Sequence, residues 1–129
     1  MSSFRLFGRQ GLTARAVTGR LGITPTTCAE AGDLIQPGSW KPRDSSLWLL
    51  RDTGDAGSPI ELSERLERLL DRLLPVETAL WDLVDQGYRA NWSCYVASNP
   101  AEGAVELDRS LLARLLRLPG DLWIDACGD

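Results

Sequence analysis

The chain has 129 residues and a formal net charge of −4, with 43% hydrophobic and 25% charged residues. This length predicts one domain, residues 1–129, and the ordinary globular composition excludes collagen, coiled coil and wholesale disorder. Histidine is absent, which excludes Ser-His-Asp and Cys-His catalytic pairs and removes the commonest zinc ligand.

The acidic balance disfavours binding to polyanions, so we expect neither nucleic acid nor a membrane surface as a partner. Cys28, Cys94 and Cys127 are widely spaced, with no C-x-x-C pair, so no metal site and no cofactor are predicted. The first residues contain no apolar segment typical of a signal peptide. These features predict a cytoplasmic protein with reduced thiols.

Four segments are predicted to be β-strands, and the first and third of them alternate between apolar and polar residues. They lie at residues 3–7, 46–51, 90–96 and 122–126. Between the first two, residues 23–44 contain Pro25, Pro37 and Pro42 and show no sustained period. We expect an irregular loop there, and because loops of such length are often functional, its Trp40 is of interest.

Helices are predicted between these strands. Thr13 is placed to cap a first helix, and Ser58-Pro59-Ile60-Glu61 matches a capping box before a leucine stripe. Pro75 should interrupt that second helix before it ends at Gly87, and Asp108 should cap a last one. The sequence therefore predicts an α+β fold: a single four-stranded, largely antiparallel sheet with three or four helices packed mainly on one face, in a ferredoxin-like open sandwich.

Alternation along the strands divides their residues between the face packed on the helices and the opposite face. The inward set is expected to be Phe4, Leu6, Leu47, Leu49, Trp92, Cys94, Val96, Leu122, Ile124 and Ala126. The opposite face is expected to carry Arg5, Phe7, Trp48, Leu50, Ser93, Tyr95, Trp123 and Asp125. Trp81 is also expected in the core, on the helical side. An outer face with this many aromatic residues is unusual for a surface open to water, and three explanations remain. The 23–44 loop covers the face, the face forms a homodimer interface, or it binds a ligand or a foreign protein.

The candidate binding residues are aromatic and charged side chains on that outer face or in the long loop: Trp40, Trp48, Tyr95, Trp123, Arg5, Asp125 and Arg43. Aromatic residues are enriched in binding hot spots, and the charged residues would serve as polar anchors. No catalytic residues are predicted, since Cys94 lies in an apolar strand and the pair Asp121 and Asp125 is typical of solvated charge.

Several short motifs follow one another along the chain: Leu21-Gly22-Ile23-Thr24-Pro25, Gly32-Asp33, Trp48-Leu49-Leu50 and the leucine-rich helix at 62–74. Their order resembles the bacterial family of unknown function called DUF4279, and the similarity spans about residues 3–127. The resemblance implies a small bacterial α+β domain without established catalytic residues. Where family members often have Asp or Glu near the start of the first helix, this chain has Leu12-Thr13-Ala14.

Two functions from different classes follow from these observations. The first hypothesis is a non-enzymatic, acidic binding protein that recognises a protein partner, as an immunity-like or accessory factor, or that forms a homodimer. The alternative is a small-molecule sensor or enzyme with a pocket between the 23–44 loop and the sheet.

Overall fold

The structure is a computed structural model that describes residues 2–9, 11–33, 43–52, 62–98 and 106–128. Five strands form one sheet, in the order β2-β3-β1-β4-β5. The strands are β1 (Ser2–Gly8), β2 (Thr27–Ala29), β3 (Ser46–Arg51), β4 (Arg89–Ser98) and β5 (Asp121–Gly128). The helices within the described residues are α1 (Ala14–Leu21), α2 (Leu62–Leu73), α3 (Glu77–Gln86) and α4 (Arg109–Leu116).

The α+β class with a single, largely antiparallel sheet is confirmed, but the sheet has five strands where four were predicted. The sheet is mixed, because β5 runs parallel to β4 while the other neighbouring pairs are antiparallel. Helix α4 provides the crossover that a parallel pair requires. The first four strands follow a β-α-β-β-α-β connectivity, with α2 and α3 as one helical connection, and α4 and β5 are added after it.

The additional strand β2 lies inside the segment that was expected to be an irregular loop. It has three residues and pairs with β3 through Thr27 opposite Leu49 and Ala29 opposite Leu47. A strand of this length is too short to show a period of two, so the sequence pattern carries no signal for it. It forms one edge of the sheet, and β5 forms the other.

The second helical segment follows the predicted pattern. Its leucine stripe, from Leu62 to Leu73, is buried, and a 3-10 turn over Leu74–Val76 separates α2 from α3 at Pro75. The proline lacks the N–H that a continuous α-helix would need at this position. The predicted capping box at residues 58–61 lies outside the described residues.

One face of the sheet packs against the helices and forms the core. Phe4 and Trp92 meet there, with ring centroids 4.9 Å apart. The strands contribute Phe4, Leu6, Trp48, Leu50, Trp92 and Cys94, and the helices contribute mainly Val17, Leu66, Leu69, Leu70, Leu73, Leu80, Leu83 and Leu111. The opposite face, which we call the open face, packs against no helix among the described residues.

The predicted faces of β3 are inverted. Trp48 lies opposite Leu6 and Leu50 opposite Phe4, and cross-strand partners share a face of the sheet. Trp48 is therefore fully buried, and its indole Nε1 donates a hydrogen bond to Thr18 Oγ1 at 3.0 Å. Because residues 47–50 are all apolar, the strand has no alternation from which its inward side could be predicted.

Trp81 is a second correction. It was expected in the core, but the residue is 43% exposed on α3. Its indole N–H donates to the backbone carbonyl of Arg117 at 2.8 Å, so the ring joins α3 to the end of α4 at the surface.

No helix among the described residues is long and apolar enough to cross a membrane.

The start of α1 receives a carboxylate from elsewhere in the chain. Glu30, just after β2, accepts hydrogen bonds from the backbone N–H groups of Ala14 at 2.7 Å and Arg15 at 3.2 Å. Thr13 Oγ1 accepts another from Ala16 N at 3.0 Å, as its predicted capping role requires. A negative charge at this position also complements the helix dipole.

Candidate functional site: a pocket on the open face

The register of the sheet aligns polar side chains across the open face. Arg5 on β1 lies opposite Leu49 on one side and Asn91 on the other, and Asn91 lies beside Asp121 on β5. Neighbouring rows bring Phe7 next to Arg89 and Ser93 next to Trp123. These three rows gather residues that are far apart in the sequence, because the strands come from both ends of the chain.

A pocket of about 490 Å³ lies on these rows, at the end of β1 and the beginnings of β4 and β5. It is lined by Arg5, Phe7, Gly8, Arg9, Ser45, Arg89, Ala90, Asn91, Asp121 and Trp123. The volume falls within the range of roughly 300–1,000 Å³ that small-molecule sites occupy.

Two glycines allow the backbone to approach closely around the pocket. A Cβ on Gly8 would collide with the carbonyl oxygen of Leu12, so glycine permits the turn that carries Arg9 past the end of β1. Gly120 has φ +112°, and its Cβ position would lie 3.0 Å from the backbone of Ala90. Glycine therefore lets β5 start directly beside β4, which brings Asp121 to the pocket.

Arg5 has the most fully defined geometry of the pocket residues. Its Nε donates to Asn91 Oδ1 at 2.8 Å, and its guanidinium carbon lies 5.4 Å from the centre of the Phe7 ring. The hydrogen bond and the cation–π contact together restrict the rotation of the guanidinium plane. They leave the terminal N–H donors of Arg5 and the amide N–H donors of Asn91 for another acceptor.

The charge of the pocket is opposite in sign to that of the chain. Arg5, Arg9 and Arg89 line it with Asp121 as the carboxylate among its lining residues, in a chain of net charge −4. Within the part of the chain that the structure describes, no ion pair involves these four residues. The pocket thus has an excess of positive charge that no carboxylate of the described residues pairs with directly.

Two of the sequence-predicted binding residues, Arg5 and Trp123, line this pocket, and Trp123 is 65% exposed. Tyr95 and Asp125 are cross-strand partners on the same face, one row beyond Trp123 and outside the pocket lining. The open face therefore brings four of the candidates onto one surface, and the pocket uses two of them.

The other three candidates lie elsewhere. Trp48 is a core residue on the helix side of the sheet. Arg43 is held in the turn before β3, where its Nε donates to the Ser45 carbonyl at 3.3 Å and its backbone bonds to Asp33 and Gly32. Trp40 lies outside the described residues, as do all of residues 34–42 of the loop that was expected to form one wall of a pocket.

Sequence reasoning missed Arg9, Arg89, Asn91 and Asp121. The alternation that placed Ser93 and Tyr95 on the outer face also places Asn91 and Arg89 there when it is extended toward the start of β4. Asp121 was interpreted as solvated charge, as is typical of carboxylates at strand ends. Its position near the arginines follows from the β4–β5 register, which the sequence pattern does not show. Arg9 had no signal, since it lies beyond the end of a strand.

The pocket lining contains one carboxylate, Asp121, and no cysteine. No group of three or more His, Cys, Asp or Glu residues that could hold a metal ion occurs in the described ranges. Cys28 is exposed on the edge strand β2, and Cys94 is buried in the core. Burial raises the pKa of the Cys94 thiol, which favours the neutral thiol over the thiolate that nucleophilic or metal-binding chemistry needs.

Comparison with known proteins identifies a family but no function. Residues 1–128 match the family model described as a domain of unknown function, DUF4279. No curated protein and no solved structure matches the chain.

Proposed function

Because the chain belongs to the DUF4279 family, whose description assigns no activity, we propose a function from its own site. The proposal is that the protein is a non-enzymatic binding domain that holds a small anionic ligand in the pocket on the open face. The observation that carries it is the set of three arginines that line this pocket and form no ion pair with a carboxylate among the described residues.

Guanidinium groups suit this role because their planar fork binds carboxylate or phosphate oxygens through two parallel hydrogen bonds. Arg5 is already oriented by Asn91 and Phe7, so less conformational entropy is lost when a ligand binds. Arg9 and Arg89 are exposed at the same pocket and add charge on the ligand's approach. Phe7 and Trp123 supply apolar surface for the uncharged part of the ligand.

The shape of the site favours a small molecule over a flat protein interface. A concave volume of about 490 Å³, partly open to solvent, is large enough to hold a small ligand. A protein partner or a second copy, which the sequence suggested, would have to insert an acidic side chain into this pocket.

We propose that the protein acts in the bacterial cytoplasm, on the sequence grounds given above and because Cys28 and Cys94 are free thiols.

Titration calorimetry with phenyl phosphate and with benzoate tests the proposal. We expect both probes to bind the wild-type protein and Arg5→Gln to weaken binding about tenfold or more, since a hydrogen bond to a charged group contributes roughly 1.5–3 kcal/mol. Arg5→Lys should bind with intermediate affinity, because it keeps the charge and loses the fork.

The matched control is Arg72→Gln, which removes an exposed arginine on α2, on the other side of the sheet. It should bind both probes like the wild type. If neither probe binds at millimolar concentration, or if Arg5→Gln and Arg72→Gln have the same effect, the proposal is wrong. If an acidic peptide binds and the small probes do not, the protein-partner hypothesis takes its place.

A further inference from the structure

We infer that the ligand of this pocket is bipolar, with an anionic group held by the arginines and an amino group, or another N–H donor, held by Asp121. This inference rests on the proposed function and adds the class of ligand to it. It predicts that a purely anionic molecule is a poorer ligand than one that also carries a donor at its other end.

The charges of the pocket are separated across the sheet. Arg5 and Arg89 lie on β1 and β4 and Arg9 follows β1, whereas Asp121 lies at the start of the edge strand β5. Asp121 is two strands from Arg5 in the same row, with Asn91 between them. At the usual spacing of about 4.8 Å between strands, the two Cα atoms are about 10 Å apart. The positive charges therefore lie on or just after β1 and on β4, and the negative charge lies on the edge strand β5 beside β4.

Asp121 is not neutralised by any charged residue in the described part of the chain. It is exposed, and no ion pair within the described ranges includes it. A carboxylate accepts hydrogen bonds and donates none, so a ligand oxygen bearing negative charge next to it would be repelled. Asp121 thus weakens the binding of any ligand that places a second anionic group beside it. Such repulsion lets a site discriminate between ligands of similar size but different charge.

Asn91 lies between Arg5 and Asp121, and the rows on either side of them carry the aromatic side chains Phe7 and Trp123. Phe7 lies beneath the guanidinium of Arg5, Asn91 separates Arg5 from Asp121, and Trp123 follows Asp121 by two residues on the same face. Trp123 is 65% exposed, so its indole ring is accessible for packing against a planar group. A ligand with a ring or another flat segment between its two polar ends matches this arrangement.

A matched pair of ligands tests the inference: benzoate and 4-(aminomethyl)benzoate, which differ by one ammonium-bearing group. Calorimetry is done with the wild type and with Asp121→Asn, which keeps the size of the side chain and removes its charge. We expect the wild type to bind 4-(aminomethyl)benzoate about tenfold more tightly than benzoate. Asp121→Asn should abolish this preference, mainly by weakening the amino ligand and strengthening benzoate.

Circular dichroism and thermal melting establish that Asp121→Asn is folded, and Asp121→Ser serves as a second variant if it is not. If the wild type binds the two ligands equally and Arg5→Gln weakens both, the proposed function stands and the bipolar ligand is wrong. The same conclusion follows if the wild-type preference persists in both Asp121 variants. If neither benzoate, its amino derivative nor phenyl phosphate binds, both the inference and the proposed function are overturned.

Discussion

Arg5 donates a hydrogen bond from its Nε to Asn91 Oδ1 at 2.8 Å, although 86 positions separate the two residues in the sequence. The bond crosses from β1 to β4 on the face that has no helix in the described structure. A charged hydrogen bond of this kind stabilises the pairing of two neighbouring strands. Here it also fixes the orientation of the Arg5 guanidinium, which lines the pocket. The pocket is thus a product of the β1–β4 register, and residues in this register determine its chemistry.

The first prediction concerns two tryptophans that the sequence placed on the same face. Trp48 is fully buried and Trp123 is 65% exposed. Trp48→Ala should lower the free energy of unfolding by about 3–5 kcal/mol, since it leaves a large cavity in the core. Trp123→Ala should change it by less than about 0.5 kcal/mol. Urea unfolding measures both, and similar losses for the two variants would contradict the inverted face of β3.

The second prediction concerns the carboxylate that caps α1. Glu30→Ala removes the acceptor for Ala14 N and Arg15 N and should destabilise the fold by about 0.5–2 kcal/mol, as the loss of a helix cap usually does. Glu106→Ala is the control, because Glu106 is exposed and has no hydrogen bond or ion pair within the described structure. Equal unfolding midpoints for the two variants would show that the Glu30 bonds do not stabilise α1.

The third prediction is a pH dependence at the surface. Two hydrogen bonds from Arg117, both 3.0 Å long, lower the pKa of Glu77. A carboxyl whose pKa is lower in the folded than in the unfolded chain stabilises the fold above its unfolded pKa. This stabilisation is lost as the pH falls through the folded pKa.

Urea midpoints of the wild type and Glu77→Gln check this pH dependence. The wild type should be the more stable protein at pH 7, and the difference should close as the pH falls below the ordinary range of a glutamate. Because the pair is exposed and screened by solvent, the difference should be small. A difference that is the same at neutral and acidic pH would contradict the role of the Glu77 charge.

Much of the fold could be predicted from sequence pattern. Alternation located β1 and β4, and cap residues such as Thr13 and Asp108 located helix starts that the structure confirms. The faces of β3 could not be predicted, because a strand of consecutive apolar residues fits either way. The orientation of β3 follows from its register with β1, in which Trp48 lies opposite the buried Leu6. That register is set by the pairing of two strands, and the sequence of β3 alone does not contain it.

The candidate site was accessible to sequence analysis only in part. Arg5 and Trp123 were identified from the alternation of their own strands, which needs no knowledge of neighbours. The pocket depends on which residues of β4 and β5 stand beside them, and no local pattern encodes a register between strands so far apart. The parallel β4–β5 pair, which brings Asp121 to Asn91, was not anticipated, so the separation of charge across the pocket was missed.

The location of ligand binding tests the central claim most directly. Amide and indole N–H chemical shifts are followed by NMR while phenyl phosphate is added to the wild-type protein. The binding domain proposed here predicts shifts concentrated at Phe7, Arg89, Asn91 and the indole of Trp123, with the core indole of Trp48 unchanged. Saturable shifts that concentrate on the helical side of the sheet, or no saturable shift at all, would contradict an anion-binding pocket on the open face.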